Sequence, residues 1–453
     1  MKKHLFLIIT LGICTCCFSQ NIGLGKWRNH FSYDKLYKIV PADGRIYGQA
    51  KYGLFYYDTE EQTMIKYSKT DGLSDVGISN MAYNSKTKCM LIAYNNSNID
   101  LLINDVIYNI SEIKRKEISG DKAIYNINFY NRKAYLACGF GIVVIDISRK
   151  EIADVYYLGE NGTYLKINDI AFTPLNIVAA TDSGMMYIDK QNQFPNISTN
   201  WTIDSTSAVG KQTVSQLKVF SDKLMATVRH TADSSTIYVG TTPTEFTPWI
   251  SGNIKSVEAA ENKLIISEYN KVCIYNSDLT TIAEVTNSNE DWFVMEAQHA
   301  TLNHDNKLVI AHEWAGMIIF PDYKKKNTDN LKPSGPRTDD VYNLSGYGNG
   351  VILSPGSRRG DYFVEANVAT FQNNEWTNLN GSMSKDTSWN VLDVVVDPTN
   401  KKKMYAASWR NGVLEIENNT AINLYNENNT NNVLTAYTDG DYRSLRVGAC
   451  ATD

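Results

Sequence analysis

Paired cysteines are missing from this chain. Seven of its 453 residues are cysteine, and three of those, Cys14, Cys16 and Cys17, fall in the leader described below. The other four, Cys89, Cys138, Cys273 and Cys450, stand far apart with no Cys-x-x-Cys spacing, which speaks against a zinc ribbon or a redox dithiol. Cys138 and Cys273 sit in apolar strand patterns and read as buried, inert thiols. Histidine is scarce too, with six residues. His299 and His304 stand in what reads as a turn around Asn303 and Asp305, where a solvated loop outweighs metal ligation. No HExxH, GxSxG, P-loop, GxGxxG or Ser-x-Asp-x-Gly-x-x-Trp box occurs, so no catalytic residue, metal or cofactor is expected. Basic charge is not in excess: 44 Lys and Arg face 49 acids, for a net −5. That removes the electrostatic case for nucleic acid. Beyond the leader no run of eighteen apolar residues exists, so no helical membrane span is expected.

What is present begins with that leader. Lys2 and Lys3 precede an apolar stretch from Leu5 to Cys17, and Cys17-Phe18-Ser19 puts small residues at −3 and −1 before Gln20. Residues 1–19 read as a signal peptide exported by Sec, too short and wrongly flanked for a span. Its removal takes the net charge to −7. A lipid anchor on Cys14 is disfavoured by the bulky Ile13 before it.

The dominant signal is a repeat. Gly53, Gly141, Gly184 and Gly316 each open a nearly all-apolar run, as in Gly141-Ile142-Val143-Val144-Ile145-Asp146. Their intervals, 88, 43 and 132 residues, are two, one and three units of about 44, the period of a four-stranded propeller blade. Glycine suits the tight hairpin before the run because such turns need a positive φ. Asn95 to Asn98 takes its place in one unit, asparagine tolerating that conformation. Near-continuous apolar strands fit burial on both faces. Between Lys35 and Tyr323 seven units fit, the fifth with a long polar hairpin from Arg229 to Thr236. The seventh, Phe293 to Tyr323, lacks an outer strand, which Ile22 to Phe31 is expected to supply.

The domain reading is then a first seven-bladed β-propeller over residues 20–323, a linker over 324–337 with Lys324-Lys325-Lys326, Pro333 and Pro336, and a partial second β-propeller over 338–453. The fold class is all-β. The best late copy runs from Val391 to Glu417, with Gly412 at the hairpin. The end at Asp453 reads as a truncation of a longer protein.

Candidate sites are few. The basic clusters Lys114-Arg115-Lys116, Lys324-Lys325-Lys326, Arg358-Arg359 and Lys401-Lys402-Lys403 read first as solvated turns. Arg358 and Arg359 are the best anion-binding candidates, since a guanidinium fork suits bidentate contact and Gly356 and Gly360 free the backbone. Trp314, Trp389 and Trp409 read as packing between blades rather than sugar platforms. A glycan-cleaving propeller would need carboxylates converging in one central pocket.

Residues 390–418 resemble the repeat of two-component-regulator propellers, a motif that says only propeller. The opening Gly25-Lys26-Trp27-Arg28-Asn29-His30-Phe31-Ser32-Tyr33 after the leader is more specific. With tandem propellers it resembles the PorZ family of surface components of the type IX secretion system. That resemblance implies a non-enzymatic scaffold on the outer-membrane surface. It implies partnership with a PorU-like sortase and with PorV-like and PorQ-like outer-membrane proteins. It also implies binding of anionic lipopolysaccharide for delivery to the sortase. The alternative is the periplasmic sensor region of a hybrid two-component regulator.

Overall fold

The computed structural model describes residues 27–286, 294–325, 327–359, 364–379, 389–435 and 445–452. The chain divides into two compact units, Met1–His30 and Phe31–Asp453. The leader lies outside the described residues, and Trp27 to His30 have no regular secondary structure.

The second unit is all-β apart from a few short helical turns. Among the described residues, nine four-stranded antiparallel sheets follow one another along the chain, each with its strands in sequential order. They span residues 38–67, 78–110, 124–156, 167–203, 214–252, 254–285, 297–331, 343–378 and 389–425. The middle strands are mostly apolar because both of their faces are covered. Cys89–Tyr94 and Gly141–Asp146 show this, with every residue buried except the last of the second.

Each interface between sheets is a separate hydrophobic cluster. Met81, Ile92 and Tyr94 of the second sheet meet Tyr47, Leu54 and Tyr56 of the first. Leu91 and Leu101 meet Leu136 and Val143 of the third. The same arrangement continues through the third to seventh sheets. A further cluster joins Val309, Ala311, Met317 and Ile319 of the seventh sheet to Ile39, Ile46 and Phe55 of the first. The eighth and ninth sheets share their own cluster around Val368, Val394 and Ala406. Each fully buried side chain of this kind contributes about 1.5–3 kcal/mol.

The seventh sheet is completed differently from expectation. Its outer strand is Asp329–Leu331, paired with Met317–Phe320, and it lies inside the stretch read as a linker. The expected donor does not form it: residues 22–26 are outside the described set, and 27–31 are not a strand. Phe31 to Leu36 instead run as a strap between the first and seventh sheets. Gly316 N–H donates to Asp34 O at 2.6 Å and Leu36 N–H to His312 O at 3.0 Å. Lys332 Nζ reaches Asp34 Oδ1 at 2.9 Å, and Ser32 Oγ donates to Arg337 O at 2.8 Å.

The repeating glycine has two causes. Gly141 has φ 145°, and a Cβ there would run into the Tyr156 carbonyl oxygen. Gly53 has no positive φ; a Cβ would come 2.9 Å from the Tyr67 carbonyl oxygen, so close approach alone requires it. In the unit without glycine, Ser97 rather than an asparagine takes the positive φ, at 65°.

Candidate functional site: a polar channel

The first strands of the first seven sheets are Lys38–Ala42, Ile78–Asn84, Ile124–Tyr130, Ile167–Phe172, Val214–Phe220, Ile254–Ala260 and Ala297–Leu302. Together they line a cavity of about 440 Å³. A shared local device makes it polar. In the second to seventh sheets the first strand carries one extra residue against its neighbour, a β-bulge. A bulge sets two residues opposite one and re-aims a side chain. Here the extra residue and the one after it both face the cavity, for example Asn168 with Asp169 and Gln298 with His299. The sequence signal is two adjacent polar residues between apolar ones, as in Ile167-Asn168-Asp169-Ile170 or Ala297-Gln298-His299-Ala300. Periodicity analysis passes over it because it breaks the alternation of a strand.

Asp169 is the most buried acid of the channel, 2% exposed. Its Oδ1 accepts from Asn126 Nδ2 at 2.8 Å, Asn128 Nδ2 at 2.7 Å and Ile170 N–H at 2.7 Å, and its Oδ2 from Leu217 N–H at 2.7 Å. One carboxylate thus joins the third, fourth and fifth sheets. Burial pushes its pKa up, opposed by the Leu217 N–H and Lys218.

Glu258, on the sixth sheet, joins it to the fifth and the seventh. Lys218 Nζ donates to its Oε2 at 2.8 Å, and His299 Nε2 lies 3.2 Å from its Oε1. Burial alone would raise the Glu258 carboxyl, but Lys218, His299 and Lys38 together hold it well below the usual carboxylate range. Burial depresses His299 against the opposing pull of Glu258. An Nε2–H aimed at Glu258 leaves Nδ1 as a lone-pair acceptor, and that atom is buried without a hydrogen-bond partner. Burial also pushes the Lys38 ammonium down, only partly offset by Glu258.

The channel therefore brings two acids with displaced pKa values into one cavity, the pattern that often marks acid–base chemistry. Each is engaged in joining sheets: Asp169 accepts from four donors, and Glu258 is clamped by a lysine and a histidine. Their arrangement performs cross-sheet bonding, the first need of buried polar groups.

The sequence candidates fall elsewhere. His299 is on a strand in the channel, not in a solvated turn. His304 is exposed beside Glu261, 3.0 Å away. The two do not converge, and among the described residues no cluster of His, Cys, Asp and Glu suits a metal. Arg358 and Arg359 lie on an exposed segment after the first hairpin of the eighth sheet. The Arg358 guanidinium sits over Tyr342 at 5.8 Å and Trp409 at 5.5 Å. Gly356 is a glycine for packing, since a Cβ would run into the Val391 carbonyl oxygen, rather than for backbone freedom; Gly360 is outside the described residues. Lys114 is spent on Asp75 at 2.6 Å and Lys403 on Glu415. Cys89, Cys138 and Cys273 are buried and unpaired, with burial raising the Cys89 thiol to about 12.

Residues 46–202 match the family model described as the type IX secretion system PorZ N-terminal β-propeller domain. No curated protein sequence matches the chain. A solved structure of PorZ, an essential bacterial surface component of the type IX secretion system of Porphyromonas gingivalis, aligns over 93% of this chain with TM-score 0.77 and 19% identity. This chain spans 55% of that one. The extracellular domain of BT4673 from B. thetaiotaomicron, described as a hybrid two-component system, aligns over 88% of this chain and 61% of its own, with TM-score 0.47 and 13% identity. At that level it carries no argument. Over residues 46–202, then, the chain is similar to the PorZ N-terminal β-propeller domain.

Proposed function

We propose that the protein is a non-enzymatic surface scaffold of a type IX secretion and attachment complex. In this reading it is exported by Sec to the outer-membrane surface. There it meets a PorU-like sortase and PorV-like and PorQ-like outer-membrane proteins, and binds anionic lipopolysaccharide for delivery to the sortase. The observation that carries the reading is the family match over residues 46–202.

The first seven sheets are read as one closed seven-bladed propeller, supported by the cluster that joins the seventh sheet to the first. The last two are read as the start of a second, incomplete propeller. Rigid sheets leave recognition to the loops. Arg358 and Arg359 are the proposed surface contacts for an anionic glycan, because both are exposed and, among the described residues, neither is tied to a carboxylate in the way Lys114 is. A net-negative protein captures such a ligand through local basic groups, so capture weakens as salt rises.

The test is an affinity pull-down from outer membranes with the tagged protein. Recovery of a sortase and its outer-membrane partners is expected, and recovery of none would overturn the scaffold reading. Arg358→Ala with Arg359→Ala is expected to lower lipopolysaccharide retention and its salt dependence together. Retention indifferent to both salt and the double substitution removes these arginines from the site.

A further inference from the structure

The channel carries a surplus of positive charge. Lys38, Lys166, Lys218, Arg229 and Lys255 line it against Asp169, Asp182 and Glu258, in a chain of net −5. The three acids are occupied. Asp169 has its four donors, Glu258 has Lys218 and His299, and Asp182 accepts from Lys166 Nζ at 3.2 Å and Asn168 Nδ2 at 2.9 Å.

Lys38, Arg229 and Lys255 are all cations that these acids do not hydrogen-bond, but Lys255 lies 3.9 Å from Asp233 and Arg229 is exposed, which leaves Lys38 as the sheltered one. Its ammonium carries three hydrogens and donates to the neutral Asn80 Oδ1 at 2.9 Å. Glu258 and Asp169 act on it through space while bonded to other groups. It is half-buried, facing the cavity from the first sheet. A cation held away from bulk water with donors to spare is an anion site in waiting, since charge-assisted bonds to oxyanions are the strongest it makes. Nearer the surface, the Lys166 and Lys255 ammoniums lie over the rings of Tyr125 and Tyr269 at 4.7 and 5.5 Å. Basic groups along a cleft concentrate anions there. A volume of about 440 Å³ is in the lower range of small-molecule pockets.

We infer that the channel binds one small oxyanion, a carboxylate or phosphate group, on the Lys38 ammonium. A metal cation is disfavoured by the charge surplus and by the saturation of the acids. Free phosphate, a small organic acid and a sugar acid share the required chemistry. The inference stands apart from the secretion-complex reading: either can fail without the other.

The experiment is calorimetric titration of the full chain at low ionic strength with inorganic phosphate, acetate and glucuronate, which separates the three sources. Saturable binding of at least one is expected. Lys38→Met should weaken it about tenfold or more, and Lys38→Arg should leave it within about threefold. Arg358→Ala with Arg359→Ala should leave it unchanged, which distinguishes the channel from the surface site. In the wild-type protein, affinity should also fall as pH rises toward the ordinary lysine range, so the proposal stays testable if Lys38→Met misfolds. No saturation with any of the three means a channel filled by water only and overturns the inference. Saturation indifferent to Lys38→Met, or to alkaline pH, overturns it equally.

Discussion

Asp169 and Asp393 do the same job in two parts of the molecule, and the parts differ in how well they support it. Both follow a bulge in the first strand of their sheet. Both accept from two side chains of the preceding sheet, from the next residue's N–H and from a backbone N–H farther along. For Asp393 these donors are Asn343 Nδ2 at 3.0 Å, Ser345 Oγ at 3.4 Å, Val394 N–H at 3.0 Å and Cys450 N–H at 3.2 Å. Every one of these bonds is longer than its counterpart at Asp169. Asp169 is buried with neighbours on both flanks, whereas Asp393 is half-buried. The joint is therefore a property of the bulge position, and its strength is a property of how many sheets enclose it. Low dielectric strengthens a satisfied bond and penalises a broken one.

The largest test of this contrast is removal of each carboxylate. Asp169→Ala strips the acceptor from two backbone N–H groups and two side-chain amides, and should cost about 3–5 kcal/mol in denaturant unfolding, given about 1–3 kcal/mol per buried orphan. Asp393→Ala should cost about 1 kcal/mol, because water replaces the acceptor. Equal costs would erase the distinction. A finer comparison uses double-mutant cycles. Asn128 with Asp169 should couple by about 1–2 kcal/mol, and Ser345 with Asp393 by under about 0.5 kcal/mol.

Acid should also tell the regions apart. Burial holds His299 and His312 below the ordinary value of 6.5 in the folded protein. As pH falls below 6.5 the unfolded chain binds those protons first, so stability is full above that pH and is lost as pH drops through the window beneath it. The slope is at most about 1.4 kcal/mol per pH unit for each histidine. No histidine follows His312 in the sequence, so the eighth and ninth sheets should lack this loss. Urea melts at pH 7.5 and 5.5 should show His299→Gln flattening the dependence; an unchanged slope would exclude His299 as its source. The smallest expected effect is at Cys450. Cys450→Pro removes one donor to Asp393 and should shift stability by less than about 0.5 kcal/mol. In hydrogen exchange the Leu217 amide should be far better protected than that of Cys450.

These contrasts also mark where sequence reasoning stops. The all-β repeat is legible from Gly141 and Gly184 because a hairpin glycine followed by a doubly covered strand leaves a strong local pattern. Asp329–Leu331 is not, because three mostly polar residues on an outer edge have neither length nor alternation. His299 is misread as a turn residue because Asn303 and Asp305 draw attention to the loop, while its strand ends only at Leu302. The channel itself is invisible to any single window. Its members are about 43 residues apart, as Asn126 is from Asp169, and only the stacking of sheets brings them together. The doublets that build it are plain in the sequence once the bulge is known.

The strap from Phe31 to Leu36 sets an order of events. Lys332 meets Asp34 across a sequence separation of 298 residues, so one half of this fastening leaves the ribosome long before the other. Contacts of such range must overcome loop-closure entropy before they reward the chain. The seventh sheet can lock onto the first only after Val309, Ala311, Met317 and Ile319, the residues that face it, have been made. Until then the apolar flanks of both sheets stay uncovered, which makes the interval before closure the period when this protein most needs protection from its neighbours.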